Sequence, residues 1–236
     1  MSNEYFQFKQ FTVHHERCGM KIGTDGVLLG AWAPVDGVGS VLDVGTGSGL
    51  IALQLAQRCP SASITTIEID SEAAAQAQEN MEESPWGNRM EVVCQDFTSF
   101  TTHKRFDLIV SNPPYFQDSL RNPDLQRSMA RHTATLPFQT LFRQSASLLA
   151  DGGRMAVVVP ADAARQVEET AWFSGLYLQR TTRVYTKPGK PCKRQLILFG
   201  NRFTALSLSD ELFIHDSTGG YSDEYRLLTS PFYLHF

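Results

Sequence analysis

The sequence predicts an α/β protein with one mostly parallel β-sheet that is covered by helices on both faces. Short apolar runs alternate with helical segments from residue 40 onward, which is the pattern of successive β-α-β units. These runs are continuously apolar rather than alternating with polar residues, as in strands that are buried on both sides. The chain has 236 residues, of which 42% are hydrophobic, and this size fits one domain with a single core.

The predicted elements follow one another in a regular order after an irregular start. Residues 5–22 alternate loosely and predict a β-hairpin or a pair of short strands. Residues 24–32 predict a helix that is capped by Thr24 or Asp25. Strands are then predicted at residues 41–44, 63–69, 90–94, 106–110 and 154–159, and helices through residue 58, from residue 71 and at residues 136–149. A turn at residues 151–153 is expected to precede the fifth of these strands.

We expect residues 1–236 to form a single domain, with an N-terminal hairpin and helix (1–39), a core (40–202) and a C-terminal extension (203–236). Residues 176–200 predict an antiparallel hairpin at the edge of the sheet. Residues 116–135 are polar and long for a connection inside a compact domain, which is typical of a functional loop.

Composition excludes several classes of protein. The net charge of −4 argues against a general polyanion binder, so any contact with nucleic acid requires a local basic patch. The cysteines are far apart and His14-His15 lacks matching ligands, so we expect neither a metal site nor a disulfide framework. We find no signal-peptide pattern and no run of roughly 20 apolar residues. We therefore expect a cytoplasmic protein that makes no membrane contact and is a monomer.

A glycine-rich loop follows the first predicted strand of the core. Residues 43–49 read Asp-Val-Gly-Thr-Gly-Ser-Gly and precede a helix, a setting in which glycines allow the backbone to approach a ligand closely. Glu68 ends the next strand, where a carboxylate accepts both hydroxyls of a ribose. We prefer Glu68 to Asp70, because Asp70 stands where it would cap the following helix. The GxGxG spacing and the lack of a following Lys-Ser/Thr argue against dinucleotide and nucleoside-triphosphate loops.

Asp96 follows the third strand of the core and has two interpretations. It lies where it would face the ligand crevice, so it is a candidate to contact an adenine amine while Phe97 covers the ring. It is equally placed to cap a turn or a short helix.

Residues Asn112-Pro113-Pro114-Tyr115 follow the fourth strand directly. The Asn112 side-chain oxygen and the Pro113 carbonyl can each accept one N–H of a planar amine, which would aim the nitrogen lone pair at an electrophile. The two prolines stiffen the backbone, and Tyr115 offers a face on which a planar group stacks. An Asn-Pro turn explains the first two residues of this motif but not all four.

Together, the glycine loop, Glu68 and Asn112 to Tyr115 resemble the class I amino-methyltransferases over roughly residues 20–160. The resemblance implies a Rossmann-like fold that uses S-adenosyl-L-methionine, with a seven-stranded sheet and a reversed edge strand. It implies that Thr24 and Asp25 border the methionine end of the cofactor. The full set of predicted cofactor-binding residues is Thr24, Asp25, Asp43, Gly45, Thr46, Gly47, Gly49, Glu68, Ile69, Asp96, Phe97 and Asn112.

Within that family, the chain is most similar to the bacterial enzymes that methylate a tRNA adenine on N6. The similarity includes residues 21–30, residues 130–132 and residues 187–194, and it implies adenine 37 in the anticodon loop of tRNA1(Val) as the target. Residues 176–202 contain seven basic residues and no acid, which predicts a phosphate track. A solvated edge hairpin, whose lysines block strand pairing, is the alternative. The predicted RNA-binding residues are Arg131, Lys187, Lys190, Lys193 and Arg194.

Two other functions are compatible with parts of the sequence. A protein glutamine N5-methyltransferase that acts on release factors would share Asn112 to Tyr115 and the same cofactor, but it usually has an N-terminal helical domain. An inert RNA chaperone would keep the fold, but the presence of Asn112 and Glu68 argues against it.

Overall fold

A computed structural model of the protein describes residues 4–114 and 136–235. The chain begins with an antiparallel pair, β1 (Tyr5–Gln7) and β2 (Thr12–His14). A pair of short strands is therefore present as predicted, but both strands precede residue 15, and residues 15–22 form no strand. The remaining described strands are β3 (Ser40–Val44), β4 (Ser63–Glu68), β5 (Met90–Cys94), β6 (Phe106–Ser111), β7 (Leu149–Pro160), β8 (Tyr177–Tyr185), β9 (Cys192–Gly200) and β10 (Leu208–Phe213). The described α-helices are α1 (Thr24–Trp32), α2 (Leu50–Arg58), α3 (Ser71–Glu82), α4 (Phe138–Leu148), α5 (Ala164–Phe173) and α6 (Asp223–Thr229).

The large sheet has the order β10-β8-β9-β7-β6-β3-β4-β5. All its strands run in one direction except β9, which is antiparallel to both of its neighbours. This arrangement confirms the predicted mostly parallel α/β class and the predicted hairpin of β8 and β9.

Two details of the predicted sheet are wrong. The sheet has eight strands rather than seven, and the reversed strand lies between β7 and β8 rather than at the edge. The eighth strand arises because the C-terminal extension contributes β10, which pairs with β8 in parallel from Leu208↔Arg180 to Phe213↔Tyr185. The reversed strand is internal because β9 returns from β8 to pair with β7 as well. The hairpin edge that the sequence left open is therefore covered by the chain itself.

Helices cover both faces of the sheet and bury two separate apolar cores. Along β7, Ala156 and Val158 point into one core, whereas Val157 and Val159 point into the other. Because side chains alternate across a strand, a strand that is buried on both faces favours apolar residues at successive positions. This is the physical origin of the continuous apolar runs in the sequence.

Of the two helix caps predicted from the sequence, the cap of α3 is correct and the cap of α1 is wrong. Asp70 caps α3 as predicted, because its Oδ1 accepts from the N–H groups of Glu72 (2.8 Å) and Ala73 (3.0 Å). The N-cap of α1 is Gly23 and not Thr24 or Asp25, and no side chain caps this helix.

The turn predicted at residues 151–153 lies inside β7 as an irregularity. Phe106 pairs with Leu149 but Leu108 pairs with Arg154, so the intervening residues bulge out of the ladder. Gly152 has φ +74°, which favours glycine. A tight Gly-Gly signal therefore marks a bulge in a continuous strand here rather than the start of a new strand.

The described ranges contain neither a membrane-spanning helix nor a cluster of metal ligands. Within residues 4–114 and 136–235, no helix combines the length and the apolar character needed to cross a membrane. In the same ranges, no three His, Cys, Asp or Glu side chains are grouped as ligands for a metal ion.

Candidate active site

The carboxyl ends of four neighbouring strands lie level with one another. The register pairs Val44 of β3 with Ile67 of β4 and Glu68 of β4 with Cys94 of β5. On the other side, Asp43 of β3 pairs with Val110 of β6. The glycine loop, Glu68 and Asn112 therefore leave the sheet side by side. We call this edge the carboxyl rim, and it is where open α/β sheets bind ligands.

The junction of β3 and β6 is fixed by a buried hydroxyl. The Ser111 Oγ donates to the Val44 carbonyl at 2.8 Å, and the two residues are the last of their strands. The hydrogen bond joins the backbone that enters the glycine loop to the backbone that enters Asn112-Pro113-Pro114. Asn112 is half-buried, Pro113 is buried and Pro114 is exposed. Tyr115 and Arg131 lie outside the described residues.

The glycine loop adopts a conformation that favours glycine at three positions. Gly45, Gly47 and Gly49 have φ of +72°, +55° and +83°. Among the described residues, nothing lies within 4 Å of a Cβ built on Gly45 or Gly47, whereas a Cβ on Gly49 would lie 3.0 Å from Cε of Met81. Gly49 thus packs the loop against α3, and the first two glycines leave open space for a ligand to approach the backbone.

A buried asparagine that we did not predict anchors this loop. Asn80 on α3 donates to the carbonyls of Ser48 (2.9 Å) and His14 (2.8 Å), and its Oδ1 accepts from the His14 N–H (2.9 Å). The sequence contains a sign of this role, because Asn80 follows Ala73 and Ala77 at helical spacing and is therefore a polar residue on the apolar face of α3.

Glu68 holds the loop from the other side. One carboxylate oxygen, Oε2, accepts from the Gly47 N–H at 2.9 Å, and Oε1 accepts from the N–H groups of Ile69 (2.9 Å) and Asp70 (3.0 Å). These hydrogen bonds aim the carboxylate across the open face of the loop. A carboxylate has about four acceptor sites, so one site on Oε2 remains for a ribose hydroxyl.

Asp43 lies beneath the loop and is fully buried. Its Oδ2 accepts from the Thr46 hydroxyl at 2.6 Å. Its Oδ1 makes no close hydrogen bond with a described residue, although the Ala52 N–H in the first turn of α2 faces the carboxyl group and favours its charged form. Burial raises the pKa of Asp43 to about 7, with a smaller contribution from the negative charge of Glu68. A buried carboxylate with an unpaired oxygen is a natural partner for a cation.

Asp96 acts as a cap in this structure. Its Oδ1 accepts from the Thr98 N–H at 2.8 Å, at the start of the 3-10 turn Phe97–Ser99. The Phe97 ring is 4% exposed and packs in the core that contains Leu42 and Ile67. The proposed contacts of Asp96 and Phe97 with an adenine stay predictions.

The start of α1 also lies at the carboxyl rim. A Cβ on Gly26 would lie 3.1 Å from Cδ2 of Leu50, the first residue of α2 after the glycine loop. This close approach places Thr24 and Asp25 next to the loop. Thr24 is exposed, and the Asp25 carboxylate accepts from the Arg194 guanidinium, with Nε and Oδ2 separated by 2.6 Å.

Only one end of the predicted basic strip reaches the carboxyl rim. The loop between Tyr185 and Cys192 lies at that rim because β8 ends there and β9 begins there. We call Lys187, Lys190 and Lys193 the lysine tip. All three are exposed, and they form no ion pair with a residue in 4–114 or 136–235.

The four arginines of the strip form ion pairs with acidic residues from other segments of the chain. The strip contains no acid in the sequence, but acids lie beside it in the structure. On β10, Asp210 and Glu211 pair with Arg180 and Arg183, respectively. Arg202 follows β9 at the opposite edge of the sheet and pairs with Asp151 at 2.5 Å. Arg194, predicted to contact RNA, pairs with Asp25.

Comparisons with known proteins agree with this geometry. The family "Methyltransferase small domain" matches residues 22–182. The chain is 51% identical over 238 residues to the tRNA1(Val) (adenine(37)-N6)-methyltransferase of Bacteroides fragilis, covering 99% of each chain. It is 45% identical over 232 residues to the protein of that name from Shigella dysenteriae, covering 97% of this chain and 94% of the relative. A predicted O-methyltransferase from Agrobacterium tumefaciens has a TM-score of 0.71 at 18% identity over 88% of this chain and 96% of the other, which supports the fold.

The fold and the family match define an S-adenosylmethionine-dependent methyltransferase of class I. Within that class, the chain belongs to the family of the tRNA1(Val) (adenine(37)-N6)-methyltransferases, whose members it matches over nearly its full length.

Proposed function

We propose that this protein transfers a methyl group from S-adenosyl-L-methionine to N6 of adenine 37 in the anticodon loop of tRNA1(Val), as the names of its relatives state. The observation that carries the proposal is the position of Asn112 and Pro113, which follow β6 level with the glycine loop and Glu68. An amine held by Asn112 would lie at the same rim as the methyl donor. We also propose that the protein acts in the cytoplasm as a single domain.

The residues present fit the cofactor in three places. The open backbone of Gly45, Thr46 and Gly47 would face its methionine part, Glu68 its ribose and Asp43 its ammonium group. Thr24 and Asp25 would close the methionine end, whereas Ile69, Asp96 and Phe97 would lie along the adenine. When bound, S-adenosyl-L-methionine supplies an electrophilic methyl group on a positively charged sulfur.

Asn112 and Pro113 would activate the nitrogen by geometry rather than by a strong base. The Asn112 Oδ1 and the Pro113 carbonyl would each accept one N–H of the adenine amine, which draws its lone pair out of conjugation with the ring. Tyr115 would stack on the adenine. The N–C bond would form as the methyl–sulfur bond breaks, leaving neutral S-adenosylhomocysteine. The nitrogen, now positively charged and acidic, would then lose a proton to water. An anticodon-loop adenine is unpaired, so little energy is needed to bring it out of its stack.

Replacing Glu68 tests the ribose site. We expect Glu68→Ala to weaken S-adenosylhomocysteine binding by about 1–3 kcal/mol, the scale for losing hydrogen bonds to a charged group. The measurement is isothermal titration calorimetry. Asp70→Ala is the matched control, because it removes a neighbouring carboxylate that caps α3. It should lower the stability by about 1 kcal/mol and leave the affinity for S-adenosylhomocysteine unchanged. Unchanged affinity in Glu68→Ala would remove Glu68 from the site.

Replacing the lysine tip tests the RNA site. We expect Lys187→Ala, Lys190→Ala and Lys193→Ala together to weaken tRNA binding and to flatten its salt dependence by about one unit of slope for each lost phosphate contact. Filter binding between low and moderate salt measures the slope. Lys104→Ala, at the opposite edge of the sheet, is the control. A triple variant with the wild-type slope would show that the lysines make no phosphate contact.

The substrate itself is tested by offering two acceptors. Radiolabelled S-adenosyl-L-methionine is supplied with total tRNA and, in parallel, with a release-factor protein. We expect label in N6-methyladenosine of tRNA. Label in protein glutamine with none in tRNA would refute the proposal and establish the glutamine methyltransferase instead.

A further inference from the structure

One ion pair joins two segments that are far apart in the sequence. Asp25 begins α1 and Arg194 lies near the start of β9, and the Arg194 Nε and the Asp25 Oδ2 are 2.6 Å apart. Both side chains are about one-third exposed, at 29% for Asp25 and 35% for Arg194. Each residue lies in a segment that the sequence singled out for a different purpose, Asp25 for the cofactor and Arg194 for RNA.

The surroundings of the pair connect it to the cofactor site. Asp25 precedes Gly26, which packs against the first residue of α2 directly after the glycine loop. Arg194 pairs in the sheet with Pro160 at the end of β7, and its Nη1 donates to the Lys193 carbonyl at 3.0 Å. A single guanidinium therefore links the start of α1 to the base of the lysine tip.

We infer that Arg194 is a positioning residue for the cofactor site, through Asp25, and not a contact to an RNA phosphate. Arg194 already donates Nε–H to Asp25 and Nη1–H to the Lys193 carbonyl, and leaving Asp25 for a phosphate would strand a half-buried carboxylate without its counter-charge. A guanidinium bonded to a carboxylate also presents little net charge to a polyanion. The three lysines of the tip carry no such partner among the described residues, and the phosphate contacts belong to them.

The first test needs no RNA. We expect Arg194→Met and Asp25→Asn each to weaken S-adenosylhomocysteine binding about tenfold, the scale for losing one charge-assisted hydrogen bond. The double variant should be no weaker than the weaker single variant, because both substitutions break the same interaction. Arg202→Met is the matched control, since it breaks an Arg–Asp ion pair at the opposite edge of the sheet and should leave the affinity at the wild-type value.

The second test separates positioning from phosphate binding and rests on the proposed tRNA substrate. We expect Arg194→Met to leave the salt slope of tRNA binding unchanged. A phosphate contact predicts the opposite pair of results, a slope lower by about one and an unchanged affinity for S-adenosylhomocysteine. It also predicts that Asp25→Asn, which frees the guanidinium, tightens tRNA binding.

Arg194→Lys provides a second variant if Arg194→Met unfolds, and thermal unfolding shows which variants are folded. Lysine keeps the charge but lacks the planar fork that reaches Asp25. If Arg194 is a positioning residue, Arg194→Lys should bind S-adenosylhomocysteine almost as weakly as Arg194→Met does. Wild-type affinity in both folded variants would overturn the inference. If the wild-type protein bound no tRNA, the proposed substrate would fail while the first test kept its meaning.

Discussion

Asn112→Ala is expected to lower kcat for methyl transfer by roughly a hundredfold or more, with S-adenosylhomocysteine affinity nearly unchanged. The variant removes an acceptor that matters most when the nitrogen becomes pyramidal, so the loss falls on the transition state. It leaves Glu68, Asp43 and the glycine loop in place, which we propose hold the cofactor. Single-turnover transfer to tRNA and calorimetry with S-adenosylhomocysteine measure the two quantities separately.

Two further variants decide how the Asn112 result is interpreted. Asn112→Asp keeps an oxygen at the same place and should retain more activity than Asn112→Ala. Asn201→Ala removes another asparagine amide, one that donates to the Ala150 carbonyl at 2.7 Å on the far side of the sheet, and should keep the wild-type kcat. Wild-type turnover in Asn112→Ala would show that the amine is activated in some other way.

The sequence predicted best those features that depend on neighbouring residues. The glycines within residues 43–49 allow the positive φ angles of the loop, and Asp70 caps the helix that begins one residue later. The strands on both sides of these motifs are predictable because burial on two faces favours runs of apolar and β-branched residues. Such signals are local, so they need no knowledge of the rest of the fold.

Features that depend on pairing between distant segments were not predictable in the same way. Nothing in residues 203–213 indicates that they extend the sheet, and only that pairing brings Asp210 to Arg180 and Glu211 to Arg183. The charge of a sequence segment is therefore a poor guide to the charge of the surface it forms. Arg194 shows the same limit, because its partner lies 169 residues away.

Asp43→Asn is expected to stabilise the ligand-free protein at pH 8 by at most about 4 kcal/mol, from the gap between the usual pKa of 3.8 and the value of about 7 in the folded protein. The folded protein holds the Asp43 proton more tightly than the unfolded chain does. Stability due to this group is therefore fully present below about pH 4 and is lost as the pH rises to about 7. Asparagine has no charge to desolvate, and its amide oxygen can still accept from Thr46.

Denaturant unfolding at pH 4.5 and pH 8 measures this effect, with the exposed Asp162→Asn as control. The gain from Asp43→Asn should be small at the lower pH and largest at the higher, whereas the control should show no gain at either. The same variant should bind S-adenosylhomocysteine more weakly, because the buried carboxylate has no positive charge beside it until the ligand's ammonium group binds. An enzyme that keeps such a charge gives up stability for binding. Equal stability of wild type and Asp43→Asn at pH 8 would show that the buried Asp43 carboxylate does not destabilise the protein. Unchanged affinity for S-adenosylhomocysteine in the variant would show that Asp43 does not contact the ammonium group.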